Sequence, residues 1–107
     1  MTEDAQKAMM EMQQNQQQMQ QVMQQKEETE SELQESKKAL DELGDDSGTV
    51  YRQVGNILVE KDREKLENEL EERVEDLEVR KKSLEKKENK LQQKLEDAQK
   101  QIMQGRE

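Results

Sequence analysis

Cysteine, histidine, proline, tryptophan and phenylalanine are all missing from this 107-residue sequence, and tyrosine occurs once. Without cysteine there are no disulfides, no thiolate metal ligands and no thiol nucleophile, a composition that fits a reducing compartment. Without histidine as well, general acid/base work would fall to carboxylates, and these lie on helix faces with no pocket to shift their pKa values. A glycine-rich phosphate loop is also missing, so nucleotide binding has no support. Pairs such as Glu71 and Glu75 resemble oxygen ligands on paper, yet a charge run on a helix is far more often a solvated face. The expectation is a chain that is not an enzyme, with no cofactor and no metal site.

Apolar side chains are scarce too. A hydrophobic fraction of 28% cannot build a globular core, while 42% of residues are charged and Glu, Lys, Gln and Leu dominate. Disordered chains and coiled coils share this profile, and periodicity decides between them. No apolar run is long enough for a bilayer, and the acidic start Thr2-Glu3-Asp4 does not read as a signal peptide. A soluble, cytoplasmic protein without a membrane partner is expected. The net charge of −9 is uneven: residues 1–48 hold 12 acids against 4 bases, and residues 60–107 hold 15 against 13. With no basic stripe to displace counterions from phosphates, nucleic acid is not an expected partner.

What is present is a seven-residue repeat. In the first half Ala5, Met12, Met19, Lys26, Leu33 and Leu40 fall at a, and Ala8, Asn15, Val22, Thr29, Ser36 and Leu43 at d. In the second half Leu70, Leu77, Leu84, Leu91 and Ala98 fall at d, and Val74, Lys81, Glu88, Leu95 and Ile102 at a. Thr2 suits an N-cap with acids behind it, Gly44 suits the C′ position of the first helix, and Asp62 suits the cap of the second. Helices are placed at about 3–43 and 63–104, each on the order of 60 Å long at about 1.5 Å per residue. Helices of equal length can pair antiparallel, setting Leu40 with Leu70, Leu33 with Leu77, Met19 with Leu91, Met12 with Ala98, and Lys26 facing Leu84. Registers one heptad away also satisfy the seam, so the short connection decides. Glu69 with Arg73, Asp76 with Arg80, Glu78 with Lys82 and Glu96 with Lys100 are spaced for intrahelical pairs. The stretch around Lys26, Thr29 and Lys81 should be the least stable.

Between the helices, residues 44–48 read as a stop and a loop, followed by two runs of β-formers around Gly55-Asn56. Glycine at the first central position fits a type II′ turn, where φ is positive. Val54 then opposes Ile57, Gln53 opposes Leu58, Arg52 opposes Val59 and Tyr51 opposes Glu60. Val50, Val54, Ile57 and Val59 share one face, while Tyr51 and Leu58 occupy the other. A lone two-stranded ribbon is marginal in water and its edges invite pairing. Val50, Tyr51, Val54, Gly55, Asn56, Ile57, Leu58 and Val59 are therefore the candidate assembly residues, the alternative being a ribbon folded onto its own helices.

Methionines concentrate at the chain ends: Met9, Met10, Met12, Met19 and Met23, with Ile102 and Met103. Met9 and Met23 fall at e, Met10 at f and Met103 at b, so Met10 and Met103 cannot point into a two-helix seam and should be exposed. Clustered methionine makes an adaptable apolar surface able to repack around many partners. Methionine is equally a good helix former and a loose seam filler.

The order helix, Val50-Tyr51-x-x-Val54-Gly55-Asn56-Ile57-Leu58-Val59, helix with Leu77-Glu78-Val79-Arg80 and Leu84-Glu85-Lys86-x-Glu88 resembles the β-type subunit of prefoldin, particularly the archaeal form. The resemblance covers about 48–95 most specifically. It implies an all-α dominated single domain over 1–107, an antiparallel two-helix coiled coil whose β-hairpin, with its loop at about 44–61, joins an intersubunit β-barrel. It further implies a hexamer of two α-type and four β-type subunits that captures non-native proteins at the coiled-coil tips without ATP and passes them to a group II chaperonin. The client-binding residues would be Met9, Met10, Met12, Met19, Met23, Ile102 and Met103. A structural scaffold, or a docking arm for one specific protein, would use the same hairpin.

Overall fold

The computed structural model describes residues 2–45 and 48–104. The first helix, α1, runs Glu3–Asp45 and is started by Thr2, whose Oγ1 accepts from the Ala5 backbone N–H at 3.1 Å. Glu3 and Asp4 sit in its first turn, where negative charge meets the positive end of the helix dipole. The second helix, α2, runs Arg63–Gln104, and Asp62 Oδ1 accepts from the N–H groups of Glu64 at 3.0 Å and Lys65 at 3.4 Å. Both caps satisfy donors that a helix start leaves without intrahelical partners.

Contacts divide the chain into two units, 1–28 with 81–107 and 29–80. In the first, Ala5, Ala8, Val22, Leu84, Leu91 and Ala98 are buried, and Val22 clusters with Leu84 and Leu91 while Met19 packs against them. That grouping fixes the register, since a one-heptad slip would set Val22 level with Lys81 or Leu95 instead. In the second unit Leu33 and Leu77 are buried together with the small polar residues Thr29 and Ser36. All heptad positions from Ala5 to Leu43 and from Leu70 to Ile102 are buried or half-buried. Among the residues whose burial is described, only Glu30 and Ala39 in α1, and Arg63, Leu66 and Glu85 in α2, share that status off the seam. Each buried leucine contributes on the order of 1.5–3 kcal/mol.

The polar seam residue Lys26 directs its ammonium to Glu88 Oε2 at 3.0 Å, with both side chains about seven-tenths buried. Three residues expected to pair within α2 reach across to other elements. Glu69 meets Arg52 of the hairpin at 3.4 Å, Arg73 meets Glu32 at 3.3 Å and Glu78 meets Lys37 at 3.4 Å. These pairs are exposed and each contributes about 0–1 kcal/mol.

The hairpin is β1, Val50–Val54, against β2, Ile57–Lys61, in an antiparallel ladder with the expected register extended by Val50 opposite Lys61. Gly55 has φ of 59° and no other described residue has positive φ, which selects the type II′ turn over type I′. Gln53 Nε2 donates to the Gly55 carbonyl at 3.3 Å.

The end of α1 departs from expectation. Gly44 is helical, the helix continues to Asp45, and no left-handed C′ glycine stops it. Arg63 takes over that role: its guanidinium donates to the Leu43 carbonyl and, at 2.6 Å, to the Gly48 carbonyl. A cation thus meets the negative end of the α1 dipole and satisfies carbonyls there. Asp46 and Ser47 of the expected loop lie outside the described residues.

Candidate functional site

Two surfaces carry apolar groups that the chain itself does not cover. The first is the hairpin. Strand alternation sends Val50, Arg52, Val54, Ile57, Val59 and Lys61 to one face and Tyr51, Gln53, Leu58 and Glu60 to the other. Tyr51, Val54, Ile57, Leu58 and Val59 are all exposed, Leu58 by 68%. Only Val50 and Lys61, at the root, are half-buried. Val50 and Tyr51 line a cleft of about 340 Å³ with Ala39, Leu43, Leu66 and Leu70. Beyond that root the apolar side chains of the ribbon stay exposed, and Arg52 reaches a helix through its ion pair with Glu69. Its sheet has two strands, so among the described residues both outer edges keep unpaired backbone groups. Gly55 and Asn56 form the turn itself, and a Cβ added at Gly55 would meet nothing within 4 Å.

The second surface lies in the unit built from 1–28 and 81–107. An open groove of about 460 Å³ is lined by Met9, Met12, Ile102 and Met103, together with Gln13, Gln16 and Gln99. The heptad argument for Met10 and Met103 holds, at 65% and 62% exposed, and the e-position residues Met23 and Met9 are exposed as well, at 55% and 40%. Met12 and Ile102 are half-buried and form the floor. Met19 is placed differently, packed against the Val22, Leu84 and Leu91 core. Met10 and Met23 are exposed but do not line the groove. The glutamines in its lining escape a search for apolar residues, and only helical spacing points to them: Gln13 and Gln16 lie one turn after Met9 and Met12, and Gln99 one turn before Ile102 and Met103. A second hollow is lined by the polar residues Thr2, Asp4, Lys7, Glu11, Gln101 and Gln104.

No group of three carboxylates in metal-ligating proximity occurs among the described residues. Neither described helix is long and apolar enough to cross a membrane.

A family model described as "Prefoldin subunit" matches residues 6–105. The chain belongs to the prefoldin family. The crystal structure of the prefoldin beta subunit from Thermococcus strain KS-1 is 40% identical, with a TM-score of 0.85 over 97% of this chain and 93% of that one. No curated protein sequence gives a significant match. Two long helices joined by an antiparallel hairpin are thus the prefoldin fold. Prefoldins are chaperone subunits, not enzymes, and they assemble with other prefoldin subunits.

Proposed function

We propose that this chain is a β-type subunit of an ATP-independent holdase, a cytoplasmic chaperone that captures non-native proteins and delivers them to a group II chaperonin. The observation that carries the reading is the methionine-lined groove, an uncovered apolar surface built from flexible side chains on a chain otherwise 42% charged. Thioether side chains repack around varied hydrophobic segments without a fixed shape, which suits unrelated clients. Met9, Met12, Ile102 and Met103 form the grip, Met10 and Met23 extend it, and Met19 supports it from the core.

Assembly rests on the hairpin. Val50, Tyr51, Val54, Ile57, Leu58 and Val59 pair with strands of neighbouring subunits around the Gly55-Asn56 turn, closing the open edges into a barrel. The complex holds two α-type and four β-type subunits, and residues 1–107 act as one domain within it. Membership of the family and the double-sided exposure of the ribbon support this arrangement.

Changing Met9, Met10, Met12, Ile102 and Met103 to Ser or Gln, with Met19 left to hold the core, should abolish suppression of aggregation of several unrelated denatured proteins while sedimentation shows an intact assembly. Undiminished suppression refutes the client surface. Suppression confined to one protein favours a docking arm, and suppression of none favours a scaffold. For the hairpin, Val54→Lys with Ile57→Lys should release dissociated subunits in sedimentation, and an unchanged complex contradicts the assembly role.

A further inference from the structure

The same methionines are chemically singular in this chain. With no cysteine, histidine or tryptophan and one tyrosine, their thioethers are the only side chains that mild two-electron oxidants attack readily. The structure grades them. Met10 and Met103 stand 65% and 62% exposed, Met23 55% and Met9 40%, whereas Met12 and Met19 are half-buried in the seam.

We infer that Met10 and Met103, followed by Met23 and Met9, are reversible oxidation sites for peroxide-class oxidants, and that their oxidation turns this apolar surface polar. In the reaction one oxygen passes from peroxide to the sulfur as the O–O bond breaks. The thioether is oxidised by two electrons to the sulfoxide, and the remaining oxygen leaves as water with the two peroxide protons. The product is a polar, chiral group in place of a flexible apolar one. At Met103 and Met9 the change falls on the wall of the groove, beside Met12 and Ile102. A chain without thiols cannot reverse the step itself, so restoration requires a separate methionine sulfoxide reductase. The four exposed sites lie outside the heptad core, and the helices survive their modification.

The consequence for client capture rests on the holdase reading above; the site assignment does not. The test treats the full-length chain with hydrogen peroxide and follows each methionine by peptide mass mapping. Oxidation of Met10 and Met103 at least about fivefold faster than Met12 and Met19 supports the assignment, and equal rates at all of them overturn it. Binding of an anilinonaphthalenesulfonate dye should fall with oxidation while circular dichroism keeps its helical signal; unchanged dye binding overturns the polarity change. Recovery of dye binding after reductase treatment supports reversibility, and failure to recover overturns it. In aggregation assays with denatured lysozyme the parent should lose suppression on peroxide treatment, and the dye binding of M9L/M10L/M23L/M103L, measured against its own untreated value, should not fall with peroxide. Loss of dye binding by that variant as fast as by the parent overturns the link to these sulfurs. An untreated parent that suppresses nothing refutes the holdase reading alone, leaving mapping and dye binding to decide the oxidation sites.

Discussion

Replacing the polar step in the seam, Lys26→Leu with Glu88→Leu, should stabilise the helix pair. Both side chains are about seven-tenths buried, and they meet at 3.0 Å beside the Val22, Leu84 and Leu91 cluster. Two leucines at that depth add about 2–4 kcal/mol of apolar burial. Against this stand the lost ion pair, about 0–1 kcal/mol, and the lysine methylenes already packed in the wild type, about 1 kcal/mol. A net gain of about 0–3 kcal/mol remains, with a midpoint of about 1.5 kcal/mol that corresponds to a melting temperature higher by roughly 6–12 °C for a chain of this size. Each single change should give little or no gain, because it leaves one charged group half-buried against an apolar wall. The four proteins of the cycle would be melted by circular dichroism at one concentration, since association also shifts the transition. A double variant melting at or below the wild type would show that the charged pair stabilises this seam more than leucine does.

Leu84→Ala should cost about 2–3 kcal/mol by chemical denaturation, near the lower end for a buried leucine because a two-helix seam collapses or admits water more easily than a globular core. Arg63→Ala should cost about 1–2 kcal/mol and speed amide exchange in the last turn of α1, since the Leu43 and Gly48 carbonyls lose their shared donor. Gly55→Ala should cost about 1 kcal/mol from backbone strain alone, because φ is 59° while the space around a Cβ is open. Gly55→Asn should recover part of that loss in the same thermal assay, asparagine tolerating positive φ better than alanine.

The heptads made most of the fold legible because burial in a helix pair follows spacing alone. Positions as unlike as Lys26, Thr29 and Leu33 were assigned inward by count, and all three are buried or half-buried. The turn was equally readable, since Gly55-Asn56 leaves few backbone geometries and the ladder follows from loop length. The end of α1 was not. Gly44 reads as a stop, but the group that meets the Leu43 carbonyl in the last turn comes from Arg63, far along the chain. A trace of this was visible: a cation in the first turn of α2 opposes its own helix dipole, the kind of local mismatch that signals a role elsewhere. Charge spacing misled in a similar way. Glu69, Arg73 and Glu78 have neighbours at i, i+4, yet Arg73 and Glu78 reach partners on α1 that the antiparallel register brings near, and Glu69 reaches Arg52 of the hairpin. Among the methionines, period separated outward from inward positions, but it could not show that Met19 supports the core while Met9 and Met103 border a groove.

A ribbon exposed on both faces and open along both edges also bears on how such a protein is made. On the assembly proposed above, a newly synthesised copy displays β-pairing groups to every other unfinished chain nearby until its neighbours cover the ribbon. Supply of its fellow subunits then acts as a ligand acts on a folding equilibrium, drawing the hairpin into its native state by mass action. Under that proposal, matched production of the subunits favours the native hairpin, and an orphan copy is more open to proteolysis.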